Sequence, residues 1–530
     1  MDTSIPHDKH RWRPALASVL AALWLSACGG GSDAAGSAST NAALVSPTAS
    51  AQAAAQPPAA GQAQAAAPAQ TQTPAAPAAQ GPAQPAAPAQ AAVPSTGEFT
   101  VNTTTPGLEA APAIARLKNG GHVIAWNSER IPSTPGDTSG VHGVCTQRYG
   151  ADAQALGAET CLAPNVAPIN RPVATALADG GYLIVWKEPE GERFGDTNVW
   201  AQRFDAAGML LGSAQQINSA TRVDASGAVQ AAGLADGGYV VTWASATSQL
   251  TPGADIYARR FGADGIACPC GAEKRVNTFT SSSSGQASSY SPLVAALQDG
   301  GYVIVWRSLS PDGALAGSYA QRYGAEFHAA PVGPEIRLTS GVLDDATAVV
   351  GEVSAIAALP SAGYVLAYPR VSKPDGVNIV FQLVVQPFAA DGTALAAASP
   401  VDPLVAGAPI RKCNIPRAPP ESLCPPIQRG AALAALDDGS FVVAWSSDTA
   451  KVLDVRQSYI RRYSAEGAPL SAPALLTAVG VNAALSPTSG GGFVAAFDEL
   501  DPNRPPDFPK TVRVVARYFD AQAFRDRAAP

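Results

Sequence analysis

Ten residues, "LADGGYLIVW" (177–186), recur almost unchanged along the chain as "LADGGYVVTW" (234–243) and "LQDGGYVIVW" (297–306). The aromatic residue that ends the apolar run marks seven copies: Trp126, Trp186, Trp243, Trp306, Tyr368, Trp445 and Phe497. Neighbouring markers are separated by 52 residues (Trp445 to Phe497) to 77 residues (Tyr368 to Trp445). Self-similarity at a period above about 50 residues predicts an array of structural repeats.

Each copy contains signals for four β-strands. An Ala-rich strand A such as "VATAL" (173–177) is followed by an Asp-Gly-Gly turn, which supplies the positive φ of a tight hairpin. Strand B, "GYLIVW" (181–186), is apolar at consecutive positions, as in a strand that is covered on both faces. Strand C carries a Gln/Arg-Arg-aromatic motif such as "AQRFD" (201–205), and strand D follows a short turn, as in "AQQIN" (214–218).

Four antiparallel strands repeated seven times are typical of a β-propeller. Tandem β-sandwiches are the alternative, but each would need about a hundred residues. The last repeat ends after "VARYFDAQ" (515–522) without a strand D, whereas "GEFTVN" (97–102) precedes the first strand A and is similar to the strand D segment "AEKRVN" (272–277). We therefore predict an all-β, seven-bladed propeller of four-stranded antiparallel blades, closed by its N-terminal strand.

The repeats resemble those of a family of secreted bacterial proteins, in which Gly-Gly-aromatic-Val-x-Val-Trp is followed by Tyr-Ala-Gln-Arg-Phe. The resemblance covers about 97–520 and implies a propeller, but it implies little about activity, since one fold hosts many functions. The fifth repeat departs most, with "SAGYVLAY" (361–368) and "VQPF" (385–388). In the seventh repeat, "SPTSGGG" (486–492) indicates three extra residues in the A–B turn. We therefore expect the fifth and seventh blades to be distorted.

The N-terminus has the features of a signal peptide. Basic residues lie within 7–13, an apolar run extends from Ala15 to Leu25, and "LSAC" (25–28) follows. The run is too short to span a bilayer. "LSAC" resembles the bacterial lipobox, which implies that Cys28 becomes an acylated N-terminus; an ordinary secretory signal is the alternative. By the sorting pattern of such lipoproteins, Gly29 after the cysteine implies the outer membrane, facing the periplasm or the cell surface.

Composition divides the rest of the chain. Residues 1–27 are the expected signal peptide, and 28–96 form an Ala/Pro/Gln-rich tether that cannot bury enough apolar surface to fold. The propeller occupies 97–520, and 521–530 form a C-terminal tail. A net charge of −7 argues against nucleic acid or an anionic membrane surface as a partner, because both favour clustered Lys and Arg and the sequence has no such cluster on that scale. We expect a monomer that contacts the membrane through its lipid anchor.

The chain has seven cysteines, and six remain when Cys28 is set aside. Because the signal peptide directs the chain to an oxidising compartment, these six are candidates for disulfides. Cys145 and Cys161 lie symmetrically about a turn near Asp152 and are expected to form a cross-strand disulfide. Two further candidate pairs are Cys413 with Cys424, which would brace a Pro-rich insert, and Cys268 with Cys270. The pair in "CPC" is either a strained disulfide or two thiols; a metal site there is disfavoured, since no His is nearby.

The long B–C and D–A connections share one face of a propeller, and loops on a rigid scaffold are where binding residues usually lie. The D–A insert before the sixth blade gives this acidic protein a small basic patch. It consists of Arg411, Lys412, Arg417 and Arg429. A patch of this size is more often solvated surface, and a binding site for an anionic glycan or a protein is the functional alternative.

The recurring strand C arginine has a structural interpretation, because a packing requirement recurs in every blade whereas a binding site is normally asymmetric. These residues are Arg148, Arg203, Arg260, Arg322 and Arg462. His122 is also expected to be structural, since it occupies the position of Tyr182 in the next repeat.

The sequence contains no G-x-S-x-G, H-E-x-x-H or P-loop motif, and it predicts no catalytic residue, metal or cofactor. Calcium binding by the loops "PGDTSG" (135–140) or "SPDGALAG" (310–317) is left as an open alternative, although neither has the ligand spacing of an EF-hand. Loop carboxylates could support glycoside chemistry. These are Glu188, Glu190, Glu192, Asp196, Asp312, Glu499, Asp501 and Asp507. The leading hypothesis is an envelope-anchored binding scaffold; the alternatives are a carbohydrate-active enzyme and an envelope-protein assembly factor.

Replacing Cys28 by Ser should leave the chain unlipidated, because the acyl chains are attached through the cysteine sulfur. Mass spectrometry of the membrane fraction measures the loss, with Ser32→Ala as a substitution outside the lipobox. If the Cys28→Ser protein still carried the lipid, the anchor would have been assigned to the wrong residue.

Overall fold

The computed structural model describes a set of ranges in the larger compact unit of the chain, Pro85–Pro530. The described ranges are 97–103, 107–130, 142–162, 171–189, 196–219, 223–224, 228–246, 254–267, 273–278, 288–309, 317–326, 330–340, 355–361, 363–372, 380–402, 411–412, 423–424, 428–447, 457–478, 480–501 and 512–521. No helix within them is long and apolar enough to cross a membrane.

The strands follow the chain blade by blade, and blades 1 to 3 contain strands A to D in order. They are β2 (Gly107–Arg116), β3 (His122–Arg130), β4 (His142–Tyr149) and β5 (Ala155–Leu162); β6 (Val173–Ala176), β7 (Tyr182–Pro189), β8 (Asp196–Phe204) and β9 (Leu210–Gln216); and β11 (Val229–Gly233), β12 (Tyr239–Ala246), β13 (Ala254–Phe261) and β14 (Lys274–Arg275). A short strand, β10 (Val223–Asp224), pairs with both β8 and β12.

Blades 4 to 7 repeat the pattern. Their strands are β15 (Ser288–Ala296), β16 (Tyr302–Leu309), β17 (Gly317–Tyr323) and β18 (Pro331–Ser340); β19 (Ala355–Ala358), β20 (Tyr364–Ser372), β21 (Val380–Phe388) and β22 (Ser399–Pro400); β25 (Gln428–Ala435), β26 (Phe441–Ser447), β27 (Gln457–Tyr463) and β28 (Ala474–Thr477); and β29 (Gly480–Pro487), β30 (Phe493–Leu500), β31 (Val512–Phe519) and β1 (Glu98–Thr100). β23 (Arg411–Lys412) and β24 (Leu423–Cys424) form a separate hairpin. The predicted seven-bladed propeller is confirmed.

Ring closure joins the two ends of the propeller. β1 pairs antiparallel with β31, with Glu98 opposite Arg517 and Thr100 opposite Val515. The ladder continues through Val101, whose N–H donates to the Val514 carbonyl at 2.8 Å. The N-terminal strand therefore supplies strand D of blade 7, as the sequence predicts, and leaves that blade no unpaired strand C edge.

The core of the described structure is divided among seven apolar clusters, one between each pair of neighbouring blades. The cluster between blades 7 and 1 contains Val101, Trp126 and Tyr518. Stacked aromatic pairs link strands B and C within six blades, as for Tyr182 and Phe204, whose ring centroids are 4.5 Å apart. The markers are buried in these clusters, which agrees with the structural interpretation of the repeat.

The Asp-Gly-Gly turn has a separate physical role for each residue. In blade 2, Asp179 Oδ1 accepts the Gly181 N–H at 2.9 Å, and Gly180 has a φ of 95°. A Cβ on Gly181 would lie 2.2 Å from the Phe204 carbonyl oxygen, so strand C passes too close for a side chain. The motif therefore recurs because each residue has a task in the A–B hairpin. The Asp accepts a backbone N–H of the turn, the first Gly lets the chain reverse, and the second Gly lets strand C pack closely.

The expectation of an enlarged turn in blade 7 is wrong. In blade 7 the Thr488 N–H donates to the Gly492 carbonyl, and in blade 1 the Leu117 N–H donates to the Gly121 carbonyl. Both A–B turns therefore span the same number of residues, five. The apparent insertion arises because Thr488 takes the position of the Leu that ends strand A elsewhere. Blade 5 also forms its four strands, β19 to β22, in spite of its divergent motifs.

Removing residues 97–102 should lower the free energy of unfolding by at least about 3 kcal/mol, whereas removing 32–90 should change it little. The first deletion exposes the core position of Val101, which is fully buried, and unpairs β31. Burial of a Val side chain stabilises by about 2 kcal/mol, and each lost hydrogen bond costs about 1 kcal/mol. Chemical unfolding of both proteins tests this; equal stabilities would contradict a ring closed by β1.

Candidate functional site

Two faces of the propeller are distinguished by their connections. The A–B and C–D turns are short and lie at one end of the blades, which we call the short-turn face. The B–C and D–A connections lie at the other end, the loop face, and most of their residues fall outside the described ranges, for example 131–141 and 403–410. What the structure describes of the loop face is therefore the ends of the strands that support it.

The predicted basic patch begins in the β23–β24 hairpin. Arg411 lies opposite Cys424, and Lys412 lies opposite Leu423, so the insert folds back on itself before blade 6. Arg429 lies in β25, opposite Ser446. The side chains of these basic residues lie outside the described set, as do Arg417, Cys413, Cys268, Cys270 and Cys28, whose assignments stay predictions.

The disulfide between Cys145 and Cys161 is confirmed. The two residues are opposite partners on β4 and β5, and their sulfur atoms are bonded to each other. Glu159 lies near both sulfurs, a grouping that could otherwise hold a metal ion. Because each sulfur is committed to the disulfide, neither is a thiolate ligand, and the group is structural.

The recurring arginines are structural, as expected. Within a blade they form salt bridges with the Asp of the A–B turn. Arg260 Nη2 lies 2.5 Å from Asp236 Oδ2, and Arg462 pairs with Asp438. They also cross to the next blade, where Arg148 Nη1 donates to the Ala206 carbonyl at 2.9 Å. Each arginine thus ties its own A–B turn or the neighbouring C–D turn into the short-turn face.

Two of the candidate loop carboxylates are also engaged in structural contacts. Glu188 Oε1 accepts the Trp186 indole N–H at 2.7 Å, and Glu499 Oε1 pairs with Arg513 Nη2 at 2.6 Å. Asp196 is described only as backbone in β8, and Glu190, Glu192, Asp312 and Asp507 lie outside the described ranges. Asp501, the remaining candidate, lies in the described part of the chain directly after β30.

A polar group that sequence reasoning missed lies where blades 7, 1 and 2 meet near the loop face. Asp498 Oδ2 accepts the Asn482 side-chain N–H at 2.8 Å and the Ala111 N–H at 3.0 Å. Its Oδ1 accepts the Val481 N–H at 3.3 Å. Arg171, at the start of strand A in blade 2, reaches Asn482 Oδ1 at 3.4 Å. We call these residues the Asp498 cluster.

Backbone irregularity makes this cluster possible. Ala111 and Asn482 each have a positive φ, 57° and 54°, at β-bulges in strands A of blades 1 and 7. A bulge takes backbone N–H groups out of the strand ladder. Asp498 accepts two of those N–H groups and so joins the bulges of neighbouring blades.

Burial controls the electrostatics of the cluster. Desolvation raises the pKa of Asp498, opposed by its hydrogen bonds from Asn482 and Ala111 and by the charge of Arg171. Desolvation likewise lowers the pKa of Arg171, and Asp498 opposes that shift. Each charge therefore favours the ionised form of the other, and among the described residues the Arg171 side chain donates to Asn482 Oδ1.

A comparison of the repeats could have drawn attention to Asp498. It follows the marker Phe497, and this position differs in chemistry around the ring. The seven residues are Asn127, Lys187, Ala244, Arg307, Pro369, Ser446 and Asp498. By contrast, the A–B turns repeat one acid in most blades: Asp179, Asp236, Asp299 and Asp438. The loop-face ends of the strands are thus specific to each blade.

Glu109 is a second buried acid that sequence reasoning missed, on strand A of blade 1. It is 2% exposed, and it accepts the Trp126 indole N–H at 2.6 Å and the Ser128 hydroxyl at 2.9 Å. Burial raises the pKa of Glu109 to about 7, partly offset by these two hydrogen bonds. The acid is therefore a structural group with a titration near neutral pH.

His122 is buried in the position of the strand B aromatic, as its alignment with Tyr182 predicts. Its Nε2 lies 3.1 Å from the Pro487 carbonyl of blade 7, and its ring meets Tyr518 edge-on at 5.9 Å. Burial lowers the pKa of His122 to about 4, so the ring is neutral at physiological pH. This arrangement supports packing at the seam and supplies no exposed catalytic base.

No protein-family model and no curated protein matches this chain. Among solved structures it is similar to a protein of unknown function from Dyadobacter fermentans, at 11% identity and a TM-score of 0.42, over 80% of this chain and 99% of that one. It is also similar to a Penicillium chrysogenum α-L-arabinanase (12%, TM-score 0.38, 80% and 99%) and to the GH93 α-L-arabinofuranosidase of Fusarium graminearum (9%, TM-score 0.37, 81% and 98%). Likenesses at these scores carry no argument about activity.

Glu109→Gln should flatten the dependence of stability on pH. The unfolded carboxyl loses its proton near 4.5 and the folded one near 7, so the folded state binds more protons between these values. The free energy of unfolding should therefore fall as pH rises through that window, by up to about 3 kcal/mol. The Gln variant should lack this fall.

Chemical unfolding at pH 5 and pH 8 measures the effect. Glu188→Gln is the matched control, because Glu188 also accepts an indole N–H but is only half-buried. An unchanged difference between the two pH values in Glu109→Gln would show that Glu109 does not cause the dependence.

Proposed function

We propose that this protein is a lipid-anchored envelope protein that binds a protein or glycan through the loop face of its propeller. The anchor is the acylated Cys28 of the lipobox-like segment, and the outer membrane is its destination. In this role the chain acts as a monomeric scaffold for recognition and uses no cofactor.

The observation that carries the proposal is the contrast between the two ends of the blades. At the short-turn face the same Asp, Gly and Arg roles recur from blade to blade, and these side chains are engaged in turn and inter-blade contacts. At the loop-face ends of strand B, the residue after the marker differs in every blade. Specific recognition requires surface chemistry that is not repeated around the ring, so the loop face is the better candidate.

The direction of β1 shows where the N-terminal segment enters the propeller. Strand C of blade 7 runs towards the short-turn face, and Glu98 lies opposite Arg517 near its end, whereas Thr100 lies opposite Val515, farther from that face. Gly97 therefore enters the propeller at the short-turn face.

Cationic groups on the loop face favour an anionic ligand group. Arg171 lies near this end of the propeller axis, and the β23–β24 hairpin carries Arg411 and Lys412. Guanidinium groups recognise carboxylates and phosphates through paired N–H donors. An acidic glycan or an acidic protein surface would match them.

Charge reversal at Arg411, Lys412 and Arg417 together should weaken binding by at least about tenfold, which is about 1.4 kcal/mol. The probes are a glycan array and detergent-solubilised outer-membrane proteins, each tested with the full chain. The control reverses Lys274 and Arg275, which are exposed on β14 at the outer edge of blade 3. Asp205 and Asp264 are poor controls, because each caps a C–D turn by accepting a backbone N–H.

Binding that is lost in the triple variant and kept in the control supports the proposal. Equal losses in both, or no binding to either probe, would contradict it. Release of sugar from a bound glycan would instead favour the carbohydrate-active enzyme.

A further inference from the structure

A pocket of about 560 Å³ opens on the short-turn face, opposite to the proposed ligand face. It is formed where strands A of blades 1, 2 and 3 end, and because strand A is the innermost strand, the pocket lies beside the propeller axis. Its lining includes Arg116, Lys118, Ala178 and Gly233. This volume is in the range of small-molecule sites.

Arg116 breaks the repeat at this pocket. The residue that ends strand A is small or Pro in the other six blades: Ala176, Gly233, Ala296, Ala358, Ala435 and Pro487. The crowding of the axis explains the small residues; a Cβ on Gly233 would lie 2.0 Å from the Ala176 carbonyl oxygen. The fold therefore does not require an arginine here, and its presence in blade 1 calls for another explanation.

The A–B turn of blade 1 departs from the repeat in charge as well. Lys118 stands where blades 2 and 3 have Ala178 and Ala235, and Asn119 stands where blade 2 has Asp179. Compared with its neighbours, this turn has gained a cation and lost an anion. Together with Arg116, it forms a basic site within a protein whose net charge is −7.

The contacts of the two cations leave donors for a ligand. Arg116 Nη1 lies 2.8 Å from Asp437 Oδ1, which belongs to the A–B turn of blade 6, and both side chains are partly exposed, at 29% and 48%. Lys118 Nζ donates to the Ala178 carbonyl at 3.1 Å. A guanidinium has five N–H donors and an ammonium has three, so an additional acceptor can be bound by both.

We propose that this pocket binds a small organic anion, whose carboxylate or phosphate group contacts Arg116 and Lys118. Asp437 then acts as an internal competitor, because it offers Arg116 a carboxylate when no ligand is present. The pocket is on the face opposite to the proposed function, so the two sites are independent. A volume of about 560 Å³ has room for a ligand the size of one sugar acid.

The test measures binding of three probes to the full chain by isothermal titration calorimetry: D-glucuronate, its uncharged counterpart D-glucose, and inorganic phosphate. Glucuronate should bind and glucose should not, because the two differ in the carboxylate. Binding of phosphate as well would identify the site as one for anions in general, and absence of phosphate binding would restrict it to carboxylates.

Three variants locate the site. Arg116→Ala and Lys118→Ala should each weaken glucuronate binding by at least about tenfold. Both restore the residue found in other blades, so both should fold, and thermal unfolding verifies this. Asp437→Asn should strengthen binding severalfold, because it removes the competing carboxylate, and this gain is not expected of a merely structural ion pair. Lys274→Ala, a remote exposed cation, should have no effect.

Equal binding of glucuronate and glucose, no binding of either anion, or weaker binding in Asp437→Asn would overturn the proposal. The variants separate this pocket from the loop face, since the basic patch and the Asp498 cluster are unchanged in each of them.

Discussion

Every blade of this protein contains a strand B that is apolar on both of its faces, and the rest of the structure depends on this constraint. In blade 2, Tyr182 to Trp186 are each no more than 3% exposed. A sheet of this kind cannot stand alone in water, because about 25 cal/mol of stabilisation is lost for each Å² of apolar surface left exposed. Each blade therefore needs a neighbour on both sides, and only a closed ring provides this for the first and the last blade.

Closure places ion pairs within blade 7, where the N-terminal strand joins the last strands of the chain. Glu98 pairs with Arg517 across the β1–β31 ladder, and Arg513 pairs with Glu499. Side chains in these pairs are 10% to 29% exposed, so each pair contributes little stability by itself. Their value is in fixing the register of a short N-terminal strand, because a shift by one residue would turn Phe99 away from its ring partners Tyr149 and Tyr518.

Repetition separates the structural residues from the candidates for function. The A–B turn acids and the strand C arginines recur because each blade must solve the same packing problem, and the structure shows them occupied in turn and inter-blade contacts. The exceptions are more informative. Asp498, Arg171, Arg116 and Lys118 each stand where neighbouring repeats have a different kind of residue, and each lies near the propeller axis at one of its two faces.

The sequence by itself determined the seven repeats, the four strands in each, the ring closure, the Cys145–Cys161 pair and the structural role of the recurring arginines. These features are local or periodic, so residue spacing is enough to find them. The sequence wrongly predicted an enlarged A–B turn in blade 7, because Thr488 stands there in place of the Leu that ends strand A in the other blades.

Tertiary structure alone decided which unrepeated residues meet. Ala111 and Asp498 are 387 positions apart, and Arg116 and Asp437 are 321 apart. Such pairs have no spacing signal in the sequence, because they come together only when closure brings the last blades beside the first. The buried setting that raises the pKa of Glu109 is likewise a product of packing, since no neighbour in the sequence distinguishes that acid from an exposed one.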